Sequence, residues 1–271
     1  MSKTIKPLSN EQLNSIAPTL FTQEPHSEVS EKYHFIPTID VIEEIRANNW
    51  YPVNVAVANV RDEEKEGFQQ HCVRFRHFED LLNPKDNAVE LLLFNSHDRS
   101  KAFSISAGIF RFVCANGLVI SDSVFETYKI KHLGERDNDV ANAVANITAI
   151  KPKLMEKINK LESITLNQSE KESFAKSSIP LRFEEHLEIN HNDLLIPHRV
   201  EDSKDDLYTV LNVIQENLLR GNISGINKDT KRRFTSKEIT SISKDTEVNK
   251  GIWDIAEKIA SIKDSNYLVA A

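Results

Sequence analysis

Leu91, Leu92, Leu93 and Phe94 form a continuous apolar run, the pattern of a strand covered on both faces. Segments of different period lead up to it. Thr38-Ile39-Asp40 opens a helix in which Thr38 can cap and Val41, Ile42 and Ile45 supply the apolar face, closed off by Pro52. Val53, Val55 and Val57 then alternate with Asn54 and Ala56, the period of a strand with one buried face. Gln69 to Phe78 is the next strand, with Val73, Phe75 and Phe78 set among His71, Arg74, Arg76 and His77. After the central run, Asn95-Ser96-His97-Asp98 reads as a polar turn and Lys101 to Ser106 as a returning strand. Ala107 to Cys114 reads as a short helix presenting Phe110 and Val113, stopped by Asn116-Gly117, which tolerate a left-handed backbone. Strands are expected again at Leu118 to Ile120 and Val124 to Ile130.

From Gly134 the period changes. Val140, Val144, Ile147, Leu154, Ile158 and Leu161 recur at spacings near three and four, a long helical stripe that Pro152 should kink or divide near Ile150. Residues 166 to 202 are polar with scattered apolar positions, as in a linker. Ser203 and Asp206 have capping-box spacing before a helical face of Leu207, Val210, Leu211, Ile214 and Leu218 that ends at Gly221. Ile252, Ile255, Ile259 and Ile262 form a last amphipathic helix. The expected fold class is α+β: a mostly antiparallel N-terminal sheet with helices, followed by a helical C-terminal half. Its divisions are a polar arm over 1–34 with a short helix near Ser9 to Ile16, a sheet core over 35–133 and a helical region over 134–271.

Composition narrows the class. The 271 residues, 39% hydrophobic and 28% charged, describe an ordinary globular protein able to bury a sizeable core. No apolar run approaches the ~20 residues of a membrane helix. The opening MSKTIKPLSNEQL is too polar for a signal peptide, so a cytoplasmic location is expected, with no membrane partner. Cys72 and Cys114 sit among apolar residues as buried thiols, not a disulfide. A net charge of −7 excludes a generally basic nucleic-acid coat protein, but not a local basic groove.

Two segments are locally basic. Arg99, Lys101 and Arg111 have no acid among them, and Lys228, Lys231, Arg232, Arg233 and Lys237 surround only Asp229. On the strand reading, Asn95, His97, Asp98, Arg99, Lys101 and Arg111 point outward beside the Asn116-Gly117 stop. The cations would meet phosphates, and Phe110-Arg111 would offer a plane for bases to stack on. Asn95, His97 and Asp98 also have the chemistry of a metal or general-base cluster, although Asn and Asp equally cap turns. There is no HExxH, paired-cysteine or glycine-rich phosphate motif, and neither a metal nor a cofactor is expected.

The stretches SEKYHFIPTI (30–39), LLFNSHD (92–98), GIFRFVCANGLV (108–119), DDLYTVLNVIQENLLRG (205–221) and VNKGIWDIAEKIA (248–260) resemble the prophage- and plasmid-encoded family called domain of unknown function 932. The resemblance implies a soluble accessory protein of mobile elements and brings no catalytic residues with it. The order helix (38–50), strand (51–61), strand (68–78), strand (88–96), strand (101–106) is similar to the helix and curved antiparallel sheet of single-strand annealing proteins, the Rad fifty-two and RecT class. That likeness implies an oligomer with a basic DNA groove. Three functions are therefore expected in turn. First is a non-enzymatic protein that binds or anneals single-stranded DNA as a homo-oligomer through Arg99, Lys101, Arg111, Lys231, Arg232 and Arg233. Next is an anti-defence protein that blocks a host protein with the acidic face of Glu63, Glu64 and Glu66. The last is a metal-dependent nuclease centred on His97 and Asp98.

Overall fold

The computed structural model describes residues 5–29, 35–60, 62–111, 117–119, 128–129 and 139–263. The fold is α+β, and the chain divides into two compact units, Met1–Phe112 with Phe125–Lys151 and Val113–Val124 with Pro152–Ala271.

The first unit opens with α1, Asn10–Ile16, entered through a capping box in which the Ser9 hydroxyl accepts from the Gln12 N–H and the Gln12 amide oxygen accepts from the Ser9 N–H. Leu13 and, beyond it, Leu20 are fully buried, so this polar-looking segment packs on the unit it precedes. Helix α2, Thr38–Ala47, buries Val41, Ile42 and Ile45 as its pattern predicts. Its N-cap is Pro37, however, and no side chain caps it. Thr38 is one residue inside the helix, which aims its hydroxyl at the sheet.

That sheet is β1 (Trp50–Val57), β2 (His71–His77), β3 (Asn87–Asn95) and β4 (Ser104–Arg111), antiparallel in chain order. A five-residue helix α3, Phe78–Leu82, follows β2. The register is set by direct pairs such as Val73↔Leu93 and Leu93↔Ile105, and because alternate residues share a face, Val73, Phe75, Leu91, Leu93, Ile105 and Ile109 form one apolar layer. Every residue of β4 is buried. Ala107 to Arg111, the described part of the stretch expected as a helix, instead continues β4, and Phe112 to Cys114 lie outside the described residues. The i, i+3 spacing of Phe110 and Val113 suggests a helix, but β4 is buried on both faces, where polarity carries no period to tell strand from helix. Gly117 opens a short strand β5, Gly117–Val119, while Asn116 lies outside the described residues. Most of the Val124 to Ile130 stretch lies outside them too. Its described part is β6, Tyr128–Lys129, which pairs with β4.

Helix α4, Asp139–Ser163, runs through Pro152 without ending, and the division between the two units falls between Lys151 and that proline. In the first unit Thr148 of α4 accepts a hydrogen bond from the Trp50 indole at 3.1 Å, and Lys151 pairs with Asp80 at 2.6 Å.

The second unit holds α5 (Gln168–Ser178), β7 (Leu187–Ile189), α6 (Leu207–Arg220), β8 (Ser224–Asn227), β9 (Arg233–Thr235) and α7 (Ile242–Lys263). Residues 166–202 are therefore structured, not a linker. Asn167 and Glu170 form a capping box for α5, and only Phe174, Ala175 and Ser178 of that helix are buried, too few to leave an apolar stripe in the sequence. At α6 the cap is Asp206, whose carboxylate accepts the Thr209 N–H at 2.8 Å, whereas the Ser203 hydroxyl bonds to the Val200 carbonyl. Helix α7 buries Ile252, Trp253, Ala256 and Ala260, and Ile262 is 83% exposed. Its buried face thus runs from Ile252 and Trp253 along two alanines that permit close packing, with Ile255 and Ile259 at its margin and Ile262 outside it.

Gly221 ends α6 at φ 76° and ψ −138°, a conformation open essentially to glycine alone, and a Cβ there would lie 2.5 Å from the Lys237 carbonyl oxygen. Gly221→Ala is expected to destabilise the protein by about 1–3 kcal/mol from backbone strain, measured by denaturant unfolding. A loss within a few tenths would show that the turn relaxes.

Candidate nucleic-acid interface

The residues read from sequence as one outward ledge separate in the fold. Asn95 and His97 are fully buried, not outward-facing, and they build a polar cluster with Thr38 and His71. The Gln69 carbonyl, 3.1 Å from His71 Nδ1, can only accept, so that nitrogen carries the proton and Nε2 accepts from the Thr38 hydroxyl at 2.9 Å. The Thr38 oxygen in turn accepts from Asn95 Nδ2 at 3.0 Å and from His97 Nε2 at 3.3 Å. Asn95 also donates to the Ile36 carbonyl and accepts from the Ser96 N–H. Burial first, and then the neighbouring His97, depress the His71 pKa to about 3, so the ring stays neutral. The cluster fastens α2 to the ends of β2 and β3.

Asp98 closes the following turn by accepting the Ser100 N–H at 2.9 Å. Burial raises its pKa, but hydrogen bonds from Ser100 and Ser96 outweigh that and leave it lowered. His97 is thus engaged by Thr38, and Asp98 by its own turn. Among the described residues, no three His, Cys, Asp or Glu side chains stand together in a way that could hold a metal ion.

The three central cations do not gather either. Arg99 is exposed in the β3–β4 turn at φ 64°, and Lys101 places its ammonium 5.4 Å from the centre of the Phe94 ring. Arg111 is buried at the far end of β4, opposite Asn87, whereas the Lys101 end of that strand faces Phe94. At about 3.4 Å per residue, the seven steps from Ser104 to Arg111 put some 24 Å between the two ends. Glu63, Glu64 and Glu66 stand exposed on the turn between β1 and β2.

Sequence reasoning passed over the charged group at the middle of the sheet. Glu90 is opposite Arg76, is 2% exposed, and accepts from Arg76 Nη2 and from Arg74 Nε, both at 2.6 Å. Both guanidinium carbons also lie 4.7 Å from the Phe110 ring centre. The signal was present: Arg74 and Arg76 are two apart, so they share a face, and Glu90 interrupts the apolar run VELLLF where an unpaired charge could not be buried.

In the second unit the basic segment keeps its charges together. Strands β8 and β9 form a hairpin whose turn is tied by the Asn227 side chain, which accepts the Asp229 and Thr230 N–H groups. Lys231 takes φ 57° at its end. Lys228, Lys231, Arg232, Arg233 and Lys237 are all exposed. Lys228 Nζ donates to the Glu185 carbonyl, and among the described residues none of the five pairs with a carboxylate, unlike Arg199, which is clamped between Glu216 and Asp202. Strand β7 completes a three-stranded antiparallel sheet with the hairpin. Beside it lies an open groove of about 820 Å³ lined by residues that include Glu188, His191, Asp193, Ile226 and Arg233.

The profile of the family described as "Domain of unknown function (DUF932)" matches residues 25–253. The chain belongs to this family. It is also similar to two proteins of Escherichia coli (strain K12), UPF0380 protein YfjQ and UPF0380 protein YafZ. Each is 31% identical over 255 residues, which covers 94% of this chain and 92% of theirs. No solved structure matches. The family match spans α2, the sheet and the basic hairpin, so both the buried cluster and the cationic surface lie in its shared part. Among the described residues, no helix is long and apolar enough to cross a membrane.

Proposed function

We propose that this chain is a non-enzymatic single-stranded DNA-binding protein of a mobile element, and that the strand is held on the β8–β9 hairpin. The observation that supports this reading is the set of exposed cations at Lys228, Lys231, Arg232, Arg233 and Lys237, none neutralised by a carboxylate among the described residues, in a chain of net charge −7. A local concentration of positive charge on an acidic protein recruits a polyanion by releasing its counterions, which makes affinity fall as salt rises. Of the central cations, Arg111 is buried and drops out of the interface, while Arg99 stays exposed on the first unit, apart from the hairpin's own surface. Annealing would need no cofactor, because base pairing itself supplies the free energy.

The test is titration of a labelled single-stranded oligonucleotide at several salt concentrations, with the unaltered protein and with Lys231→Glu, Arg232→Glu and Arg233→Glu combined. Affinity is expected to fall linearly on a log–log salt plot. The triple variant should lose at least tenfold in affinity and reduce the slope by about 2, the effect of three lost phosphate contacts on a single strand. Salt-independent affinity, or a triple variant that binds as well as the parent, would overturn the proposal.

A further inference from the structure

Across the three-stranded sheet, Glu188 of β7 pairs with Ile226 of β8, and Ile226 pairs with Arg233 of β9. Directly opposed residues share a face, so an acid, an apolar side chain and a cation stand in one row across the strands. Ile226 is 39% exposed, an uncovered apolar plate, and both of its charged neighbours are exposed as well. Strands lie about 4.8 Å apart, so the backbones carrying Glu188 and Arg233 are separated by about 10 Å, and among the described residues no ion pair joins the two across Ile226. Asp193, half-buried, adds a second carboxylate to the groove and accepts from the Asn190 amide at 3.3 Å.

We infer that this groove seats an unpaired nucleobase of the bound strand, stacked on Ile226, with its phosphate on Arg233 and its amino edge toward Glu188 and Asp193. The inference rests on the hairpin being the DNA-binding surface. Arg233 belongs to both the cationic hairpin and the groove, and so links the two. Charge fixes the orientation. The carboxylates repel phosphate from the groove interior, so the neutral base enters it and the anionic backbone stays on the hairpin. At about 820 Å³ the groove falls within the range of roughly 300–1,000 Å³ typical of small-ligand sites.

A carboxylate accepts hydrogen bonds, so it favours a base that presents an exocyclic amine and disfavours one that presents carbonyls. Cytosine N4 is such a donor, whereas thymine offers O4 at the same position. A duplex, whose base edges are paired, cannot fill the site.

The experiment compares the unaltered protein on equal-length oligonucleotides of deoxycytidine, of thymidine and of abasic sugar-phosphate, at one salt concentration, and repeats the series with Glu188→Gln combined with Asp193→Asn. Deoxycytidine is expected to bind about five- to tenfold more tightly than thymidine, and the abasic strand more weakly than either. The double variant should bind the two base-bearing strands alike. An abasic strand that binds as tightly as deoxycytidine would overturn the base seat while leaving the hairpin reading intact. Equal affinity for deoxycytidine and thymidine on the unaltered protein would overturn the carboxylate orientation. If no strand binds in a salt-dependent way, the hairpin reading fails, and the base seat fails with it. The abasic comparison needs no substitution, so it decides the matter even if the double variant misfolds.

Discussion

Glu90→Ala is expected to destabilise the protein by about 3–5 kcal/mol, the cost of leaving buried charge without its counter-ion. Glu90 is a carboxylate shared by Arg74 and Arg76, and Arg76 is 1% exposed, so water does not readily replace the lost charge. The two guanidiniums would then repel each other across the Phe110 ring that now lies against both. Glu90→Gln keeps the shape and one acceptor but removes the charge, and should fall between alanine and the parent. Urea unfolding at neutral pH measures both, followed by a probe in the first unit. The contrast that identifies the mechanism is Glu90→Leu combined with Arg76→Met. Replacing both members of a buried pair by apolar groups can be nearly neutral, so the double variant should recover much of the loss. If Glu90→Ala costs under about 1 kcal/mol, the charges are better solvated than their burial implies.

Why this group escaped the sequence while other features did not comes down to what a local pattern can encode. Helix α2 and strands β1 and β2 were legible because each has one face that is systematically apolar, as with Ile42 and Ile45 or Val73 and Phe75, and β3 because its short continuous apolar run is bounded by polar turns. Strand β4 was misread as part helix because both of its faces are buried, which erases the period that tells strand from helix. Helix α5 was missed for the opposite reason, since it buries too little to leave a stripe. Charges behave likewise. Lys228 to Lys237 stay together because a tight hairpin keeps chain neighbours adjacent in space, so clustering in sequence meant clustering on the surface. Arg99 and Arg111 are only twelve residues apart, but an extended strand carries them to opposite ends of the sheet. His97 and Asn95 looked like surface chemistry because a polar run normally marks a turn. Their partners Thr38 and His71 lie dozens of residues upstream, where nothing local announces them.

Those same partners make the first unit acid-sensitive well above the range in which carboxylates titrate. His71 is fully buried with a folded pKa of about 3, against 6.5 when unfolded. Between these values the unfolded chain binds a proton that the folded one refuses. Stability is therefore fully present above pH 6.5 and declines as pH falls toward 3, with a slope of up to about 1.4 kcal/mol per pH unit from this one ring. Protonation would also place a second donor on His71 Nε2, facing the Thr38 hydroxyl that now donates to it. Thr38 would have to turn its proton elsewhere while still accepting from Asn95 and His97, so the cluster that fastens α2 would lose a bond. Unfolding free energies measured from pH 7 to 4.5 should fall steadily in the parent protein. In His71→Gln, whose amide can still accept from Thr38 but cannot ionise, stability at pH 7 should be lower and the slope between pH 6.5 and 4.5 clearly shallower. A parent protein equally stable at pH 7 and pH 5, or a variant with an unchanged slope, would mean that His71 is not the group that carries the proton.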